Sequence, residues 1–463
     1  MSLNSEEINI LIYRYLQEAG LHHTAFTLSQ EGLLWRSPHR TAEITPGSLI
    51  AYLQKGLMYE EIETHLNSDG TEKRCSQPFS LVHPHVCSDS MEMDGKMDNS
   101  LVHIEPNKIA YLDGHENTIL TVKWSPSPKR PFILSCSTDG TARLWPVDVR
   151  HEVLKCAEKG SEGMIVANHQ DGANQCDVTC IAWSSNGLLF ASGSADGLVR
   201  LIDITTDLPK FKYTMSAHTG CVISVCFNKK ADLLASCSTD QSVIIWDVVS
   251  GEVQQTFKVH SGPVMDVQWR SDTSFASASC DGTIVFSKLG ETQPKQIFKH
   301  RADVNVVVWD SHGVNLASAS DDSTAKIWTV LSDHPVHTLN HPAAVFVIQW
   351  RPEPKSQQGR VLATLASDNT MRVWDTERGK CLHLLKFEDP VFSLSFSPDG
   401  EHIAVGGTRF LFIYEVLSGN LIRDLDVGSE ISEITWSPEW SGKQFVTLCL
   451  TQQMRIALVE PFS

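Results

Sequence analysis

No apolar run of about 18 residues occurs in the sequence, which excludes a membrane-spanning helix on length alone. Its first residues, MSLNSEEIN, carry acids where an export signal carries bases, so no secretory leader is expected. There is no Asn-x-Ser/Thr sugar acceptor. A disulfide framework is also missing: the 12 cysteines are scattered singly, many inside strand-like runs such as Leu-Ala-Ser-Cys-Ser. Reduced, buried thiols of the nucleus or cytosol fit that pattern. Positive charge is scarce. Against 55 Asp and Glu stand 38 Lys and Arg, a net −17, and residues 1–110 alone hold 15 acids against 8 bases. Neither part of the chain is a basic domain, so direct duplex binding through phosphate neutralisation is not expected. An acidic surface suits basic protein partners, although solubility alone explains it.

What is present in abundance is internal repetition. SCSTDGTARLWPV ends at Val147, SGSADGLVRLIDI at Ile204 and SCSTDQSVIIWDV at Val248. SASCDGTIVFSKL ends at Leu289, SASDDSTAKIWTV at Val330 and LASDNTMRVWDTE at Glu377. In each, an Asp precedes a Trp or its substitute by six residues: Asp139/Trp145, Asp196/Ile202, Asp240/Trp246, Asp281/Ser287, Asp322/Trp328 and Asp368/Trp374. Upstream of most lies a His: His115, His218, His260, His300 and His341. Between His and Asp an alternating run ends in an aromatic, as at Trp124, Phe227, Trp269, Trp309 and Trp350. Such alternation reads as half-buried strand. The unit recurs about every 40 residues, the period of a propeller blade.

These segments resemble WD-repeat blades. The resemblance implies that His, a strand Ser or Thr, the turn Asp and the Trp form a hydrogen-bonded tetrad. In blade 3 the matching set is His218, Ser238 (or Ser236), Asp240 and Trp246. A buried carboxylate and indole N–H need such partners. A His/Asp/Ser set also invites a catalytic-triad reading. That reading fails, because a nucleophile site occurs once per domain and this set is stamped out repeatedly at fixed spacing. No catalytic residue is assigned. Two degraded units follow, one with Thr408 and Tyr414 in place of Asp and Trp, the other with Trp436 but no turn Asp. The fold class is therefore all-β: a propeller over 106–463, of eight blades rather than seven. A strand near Ile109–Leu112 would close the ring. Lys155–Asp177 and Pro352–Gly359 read as long loops, candidates for binding or mere decoration.

The N-terminus is different in kind. Over residues 6–19, Ile8, Leu11, Ile12, Tyr15 and Leu16 fall on one helical face, with Asn4 as cap and Gly20 as stop. A second short helix is expected near Thr24–Gln30, contributing Phe26. Two such helices cannot build a core alone, which predicts pairing with an identical copy. The segment INILIYRYLQEAGLHHTAFTLSQEG resembles the LisH dimerisation motif, with Tyr15, Leu16, Gly20, Thr24 and Ala25 at its matching positions. We therefore expect LisH helices over 1–38, and over 39–66 helices that from Pro46 to Leu66 resemble an F-box-like segment. Residues 67–105 form a polar linker without periodicity. Its Cys75, His83, His85 and Cys87 match no standard zinc spacing, so neither metal nor cofactor is expected.

LisH, F-box-like segment, linker and WD blades together resemble the transducin-β-like corepressor family across nearly the whole chain. RYLQEAG, QKGLMY and GEVQQTFKVHSGPVMDVQWRSDTSFASASCDG are the nearest stretches. The resemblance implies a non-enzymatic nuclear scaffold that tetramerises through its N-terminus. It also implies partnership with a co-repressor polypeptide, a class I histone deacetylase complex and histone tails, and recruitment of ubiquitin-conjugating machinery. The chain departs from the family in a short linker without an obvious basic import cluster and in eroded blades 7 and 8. The alternative is a substrate receptor of a cullin-type ubiquitin ligase. Such propellers carry a Trp-Asp-x-Arg turn, whereas Trp374-Asp375-Thr376-Glu377-Arg378 is one residue too long. A microtubule-motor type of LisH/WD protein would need a heptad coiled coil, absent from 67–105.

Overall fold

The structure is a computed structural model. It describes a helix over Ser5–Glu18, positions 28, 29 and 49, and residues 109–461 apart from 128–129, 148–163, 172–173, 207–208, 353–359 and 439–443. The chain divides into two compact units, 1–98 and 99–463.

In the first unit the helix Ser5–Glu18 covers the amphipathic stretch, including Ile8, Leu11, Ile12, Tyr15 and Leu16. Arg14 pairs with Glu18 at 3.4 Å and Gln17 donates to the Tyr13 hydroxyl at 2.9 Å, both one turn apart on the polar side. Of the expected second helix, Leu28 and Ser29 are described and helical, while Phe26 lies outside the described residues. So do the linker and, apart from Leu49, the F-box-like segment. Among the described residues no helix is long and apolar enough to cross a membrane.

The second unit is an eight-bladed propeller of four-stranded antiparallel sheets. The innermost strands of blades 1 to 8 are Ile119–Trp124, Val178–Trp183, Val222–Phe227, Val264–Ser271, Val304–Trp309, Val345–Trp350, Val391–Phe396 and Ile431–Trp436. In blades 1 to 7 the chain runs outward strand by strand. Blade 8 takes its outer strand from the start of the domain: Ile109–Leu112 pairs with Arg455–Val459 in the register Ile109↔Val459 to Leu112↔Ile456. This closure removes the exposed sheet edge.

The small residues of the second strands have a packing cause. Near the axis neighbouring sheets crowd together. A Cβ on Gly193 would lie 2.6 Å from Val222 Cγ1 of the next blade, and one on Gly406 2.7 Å from Ile431 Cγ2. Eight apolar clusters fill the eight gaps between successive blades. Leu234, Trp246 and Leu201 share one between blades 2 and 3; Trp124, Leu458 and Phe445 share the closing one between blades 8 and 1. Lys155–Asp177 is more than a loop. It supplies the outer strand of blade 1, Met164–Asn168, and a short hairpin of Gln170–Asp171 with Asn174–Gln175. The sequence hid this strand because the short apolar run Met164-Ile165-Val166-Ala167 lies inside a long, mostly polar insertion.

Candidate functional site

Each blade turn Asp sits before a residue of positive φ, such as Gly140 at 76° or Gln241 at 70°, so the hairpin folds the carboxylate back onto its own turn amides. In blade 3, Asp240 accepts from Ser242 Oγ at 2.6 Å and from the Thr219 amide at 2.9 Å. His218 Nδ1 lies 2.9 Å from Asp240, and its Nε2 2.8 Å from Ser236 Oγ. Trp246 Nε1 donates to the same Ser236 hydroxyl at 2.8 Å. Blade 1 repeats this with His115, Ser135, Asp139 and Trp145, and blade 5 with His300, Ser318, Asp322 and Trp328. Of the two serines considered for blade 3, Ser236 joins Trp246 to His218. Ser238 instead accepts from the Asp240 amide at 3.1 Å.

Burial lowers the pKa of His218 against the pull of Asp240, so the imidazole is neutral at pH 7. Burial pushes Asp240 up, but the bonds from Ser242, Thr219 and His218 outweigh it and hold the carboxyl below its usual range. The proton order follows. Trp246 N–H donates to Ser236, Ser236 O–H donates to His218 Nε2, and His218 Nδ1–H donates to the Asp240 carboxylate. Every donor is consumed inside the blade, so the set frames the fold.

Of the six blades with a turn Asp, three depart. In blade 4, His260 keeps Ser277 at 2.8 Å and Asp281 at 3.2 Å, but Ser287 replaces the Trp and its buried hydroxyl has no partner among the described residues. In blade 6, Thr364 takes the serine's place, bonded to His341 at 2.8 Å and Trp374 at 2.9 Å. Here His341 Nδ1–H turns to the Leu339 carbonyl at 3.1 Å, and Asp368 turns to Thr370 at 2.6 Å and Arg372 at 3.5 Å. The expected His341–Asp368 contact is therefore absent, because the Arg372 guanidinium draws the carboxylate away. Blade 2 holds a residue that sequence reading missed. His169, inside the polar insertion, bonds Ser192 at 2.9 Å. Its Nδ1 accepts from Arg200, which also lies 4.0 Å from Asp196, so Asp196 meets no imidazole. Burial and Arg200 lower the pKa of His169 to about 3. With Arg200 on Nδ1, the ring proton sits on Nε2 and goes to Ser192. That reversal is permitted because Ile202 has no indole to occupy the hydroxyl.

The inner strands carry a second repeated bond. The terminal Trp of one blade donates to a carbonyl of the blade before: Trp183 to Lys123, Trp269 to Cys226, Trp309 to Gln268, Trp350 to Val308 and Trp436 to Ser395, at 2.9–3.3 Å. Two carboxylates do related work. Asp266 of blade 4 accepts from Ser224 of blade 3 at 3.1 Å and the Val307 amide of blade 5 at 3.2 Å. Glu433 of blade 8 accepts from the Val122 amide of blade 1 at 2.7 Å, bridging the closing seam. The two acids hold the same register position in diametrically opposite blades. A cavity of about 1070 Å³ opens along the axis, lined by inner-strand residues including Lys123, Gln268, Gln349, Ser393 and Glu433.

Burial raises the pKa of Glu433 to about 7, with Lys123 and the Val122 amide pulling it back down. Its unfolded value is near 4.5, so the folded state holds the proton more tightly and stability falls as pH rises from about 5 to 7. Glu433→Gln keeps an acceptor for Val122 without the buried charge. The variant is expected to match the parent near pH 4, below the unfolded value, and to exceed it by about 3 kcal/mol at pH 8, measured by denaturant unfolding.

A LisH family description matches residues 6–32, and the WD domain, G-beta repeat description matches 106–146, 166–203, 209–247, 251–286, 292–329 and 379–415. The F-box-like/WD repeat-containing protein TBL1Y of Homo sapiens is 32% identical over 385 residues, covering 67% of this chain and 70% of that one. The chain belongs to the transducin-β-like family. TBL1X of Mus musculus is likewise 32% identical over 388 residues. The SIR4-interacting protein SIF2 of Saccharomyces cerevisiae is 25% identical over 371 residues, 66% of this chain and 68% of that one. The crystal structure of the C-terminal WD40 domain of Sif2 superposes with a TM-score of 0.63 at 20% identity, over 76% of this chain and 98% of that domain, and so shares the fold.

Proposed function

We propose that this member of the transducin-β-like family is a non-enzymatic scaffold subunit of a nuclear histone-deacetylase corepressor complex. Residues 1–38 join copies of the chain, most simply into a tetramer, and with 39–66 offer a groove to a co-repressor polypeptide. The propeller holds histone tails and regulator peptides, and the assembly recruits ubiquitin machinery. Multivalency then raises weak affinities through effective concentration.

The observation that carries this reading is the pairing of a LisH helix with a WD propeller in one chain that is related to TBL1Y over two-thirds of its length. The helix itself supports self-association. Leu11, Ile12 and Leu16 are only half-buried within the single chain, and Tyr15 is 39% exposed. An apolar face left half-covered is the surface a second copy would cover. The test is affinity purification of the full chain from nuclear extract, followed by mass spectrometry. A class I deacetylase and a co-repressor polypeptide are expected among the partners. Their absence, or recovery of a cullin instead, would overturn the reading.

A further inference from the structure

In every blade a β-bulge falls on the second residue of the innermost strand. In blade 3, Val222 pairs with Ser238 and Ser224 with Cys237, which leaves Ile223 outside the ladder, and the other seven blades shift register at the same place. A bulge re-aims the side chain it carries. Here it makes a collar of half-buried side chains at the mouth of the ring where the innermost strands begin; Leu120, Phe392 and Ser432 of this collar also line the axial cavity. The polar members are spent between blades. Thr179 donates to the Val222 carbonyl, Asn305 to that of Val345 at 3.2 Å and Ser432 to that of Ile119 at 3.4 Å. The apolar members have no such use. Phe346 and Phe392, in adjacent blades 6 and 7, are the largest, and both stay half-buried.

Acids stand on either side of these two rings. The Asp303 carbonyl accepts from the Asp321 amide at 3.0 Å in blade 5, and the Glu430 carbonyl from the Thr451 amide at 2.9 Å in blade 8, which holds the three acidic residues at the mouth. Among the described residues none of the three carboxylates forms an ion pair. The cations on the turns of blades 5 to 8 do not neutralise them. Arg409 is held by Asp426 at 2.9 Å and Arg455 by Asp113 at 2.7 Å, which leaves Arg301 against these three acids and Glu388 and Asp389. The opposite mouth differs, since there Asp272 pairs with Lys230 at 3.5 Å and Asp310 with Arg360 at 3.1 Å.

We propose that this mouth docks an extended segment of a partner polypeptide in which a large apolar residue is flanked on both sides by Lys or Arg. The apolar side chain covers Phe346 and Phe392. The cations meet Asp303 and Asp321 on one side and Glu430 on the other. Charge complementarity selects the occupant. An acidic or uncharged segment would leave three carboxylates unpaired, and a purely basic one would leave the apolar collar in water. The inference gives a place to the peptide-holding role proposed for the propeller and rests on that part of the reading alone.

The test is fluorescence anisotropy of the labelled peptide Lys-Arg-Ser-Phe-Ser-Lys-Arg with the full chain at about 0.15 M salt. Saturable binding with a dissociation constant below about 100 μM is expected. Serine in place of the probe's phenylalanine should weaken binding about tenfold, as should Phe392→Ser in the chain. Asp303→Asn and Glu430→Gln, which keep the shape of each side chain, should weaken it about threefold each, and Asp272→Asn at the opposite mouth should leave it unchanged. No saturation by about 1 mM probe would overturn the proposal. So would binding indifferent to the probe's phenylalanine, or to Asp303→Asn combined with Glu430→Gln. A chain that binds the probe but recovers no deacetylase keeps the dock and loses the corepressor reading, whereas recovery of a deacetylase by a chain that does not bind the probe does the reverse.

Discussion

Leu11→Asp together with Ile12→Asp is expected to convert the chain from an oligomer to a monomer. Both residues sit on the apolar side of the helix Ser5–Glu18 and are only half-buried in the single chain. Burying an unpaired carboxylate at each would cost about 3 kcal/mol or more per site, roughly a hundredfold in dissociation constant each time. Two such sites in every copy exceed what a short helical interface can absorb. Size-exclusion chromatography with light scattering reads the result directly. On the proposed function, the same variant should also lose co-purifying deacetylase, since a single copy offers neither the groove nor the multivalency. An unchanged propeller melting transition is the control that the variant folds.

Ser236→Ala carries the second large effect. This hydroxyl is the hinge of the blade 3 network, accepting from Trp246 and donating to His218, both at 2.8 Å. Alanine fits the space but strands two buried polar groups, Trp246 Nε1–H and His218 Nε2. At about 1–3 kcal/mol for each unsatisfied group, the loss is about 3 kcal/mol, or a fall in Tm of about 5 °C. Ser238→Ala, two residues along the same buried strand, removes only the bond to the Asp240 amide and should cost about 1 kcal/mol. Differential scanning calorimetry of the pair separates a network role from generic strand packing. Equal effects would contradict the proton order derived above.

The blade architecture was legible because it is written in spacing. The Asp-to-Trp offset of six and the alternating inner strands recur often enough to be read without a structure, and eight blades with closure at Ile109–Leu112 followed from them. His169 was hidden because the polar insertion obscures its turn. Counting back from Ser192 would have found it, since 23 residues separate the pair, as they do His341 and Thr364. The choice of Ser236 over Ser238 was open because both are buried on one strand, and only the three-dimensional register shows which reaches the indole. The axial residues were missed for another reason. Lys123 and Glu433, which line the cavity, and Asp266, which bridges to blades 3 and 5, each interrupt an apolar alternation by one charge, a pattern that looks like an ordinary solvent-facing position until eight strands converge on one axis. Arg200 and Arg372 displace the turn Asp from its His, a competition that spacing alone does not encode.

The framing networks say nothing about partners, and so weight falls on the helix at the start of the chain. The most direct test of an oligomeric scaffold is multi-angle light scattering of the full chain at micromolar concentration. A mass of four chains is expected, falling to one in the Leu11→Asp, Ile12→Asp variant. A single-chain mass for the unaltered protein would contradict it.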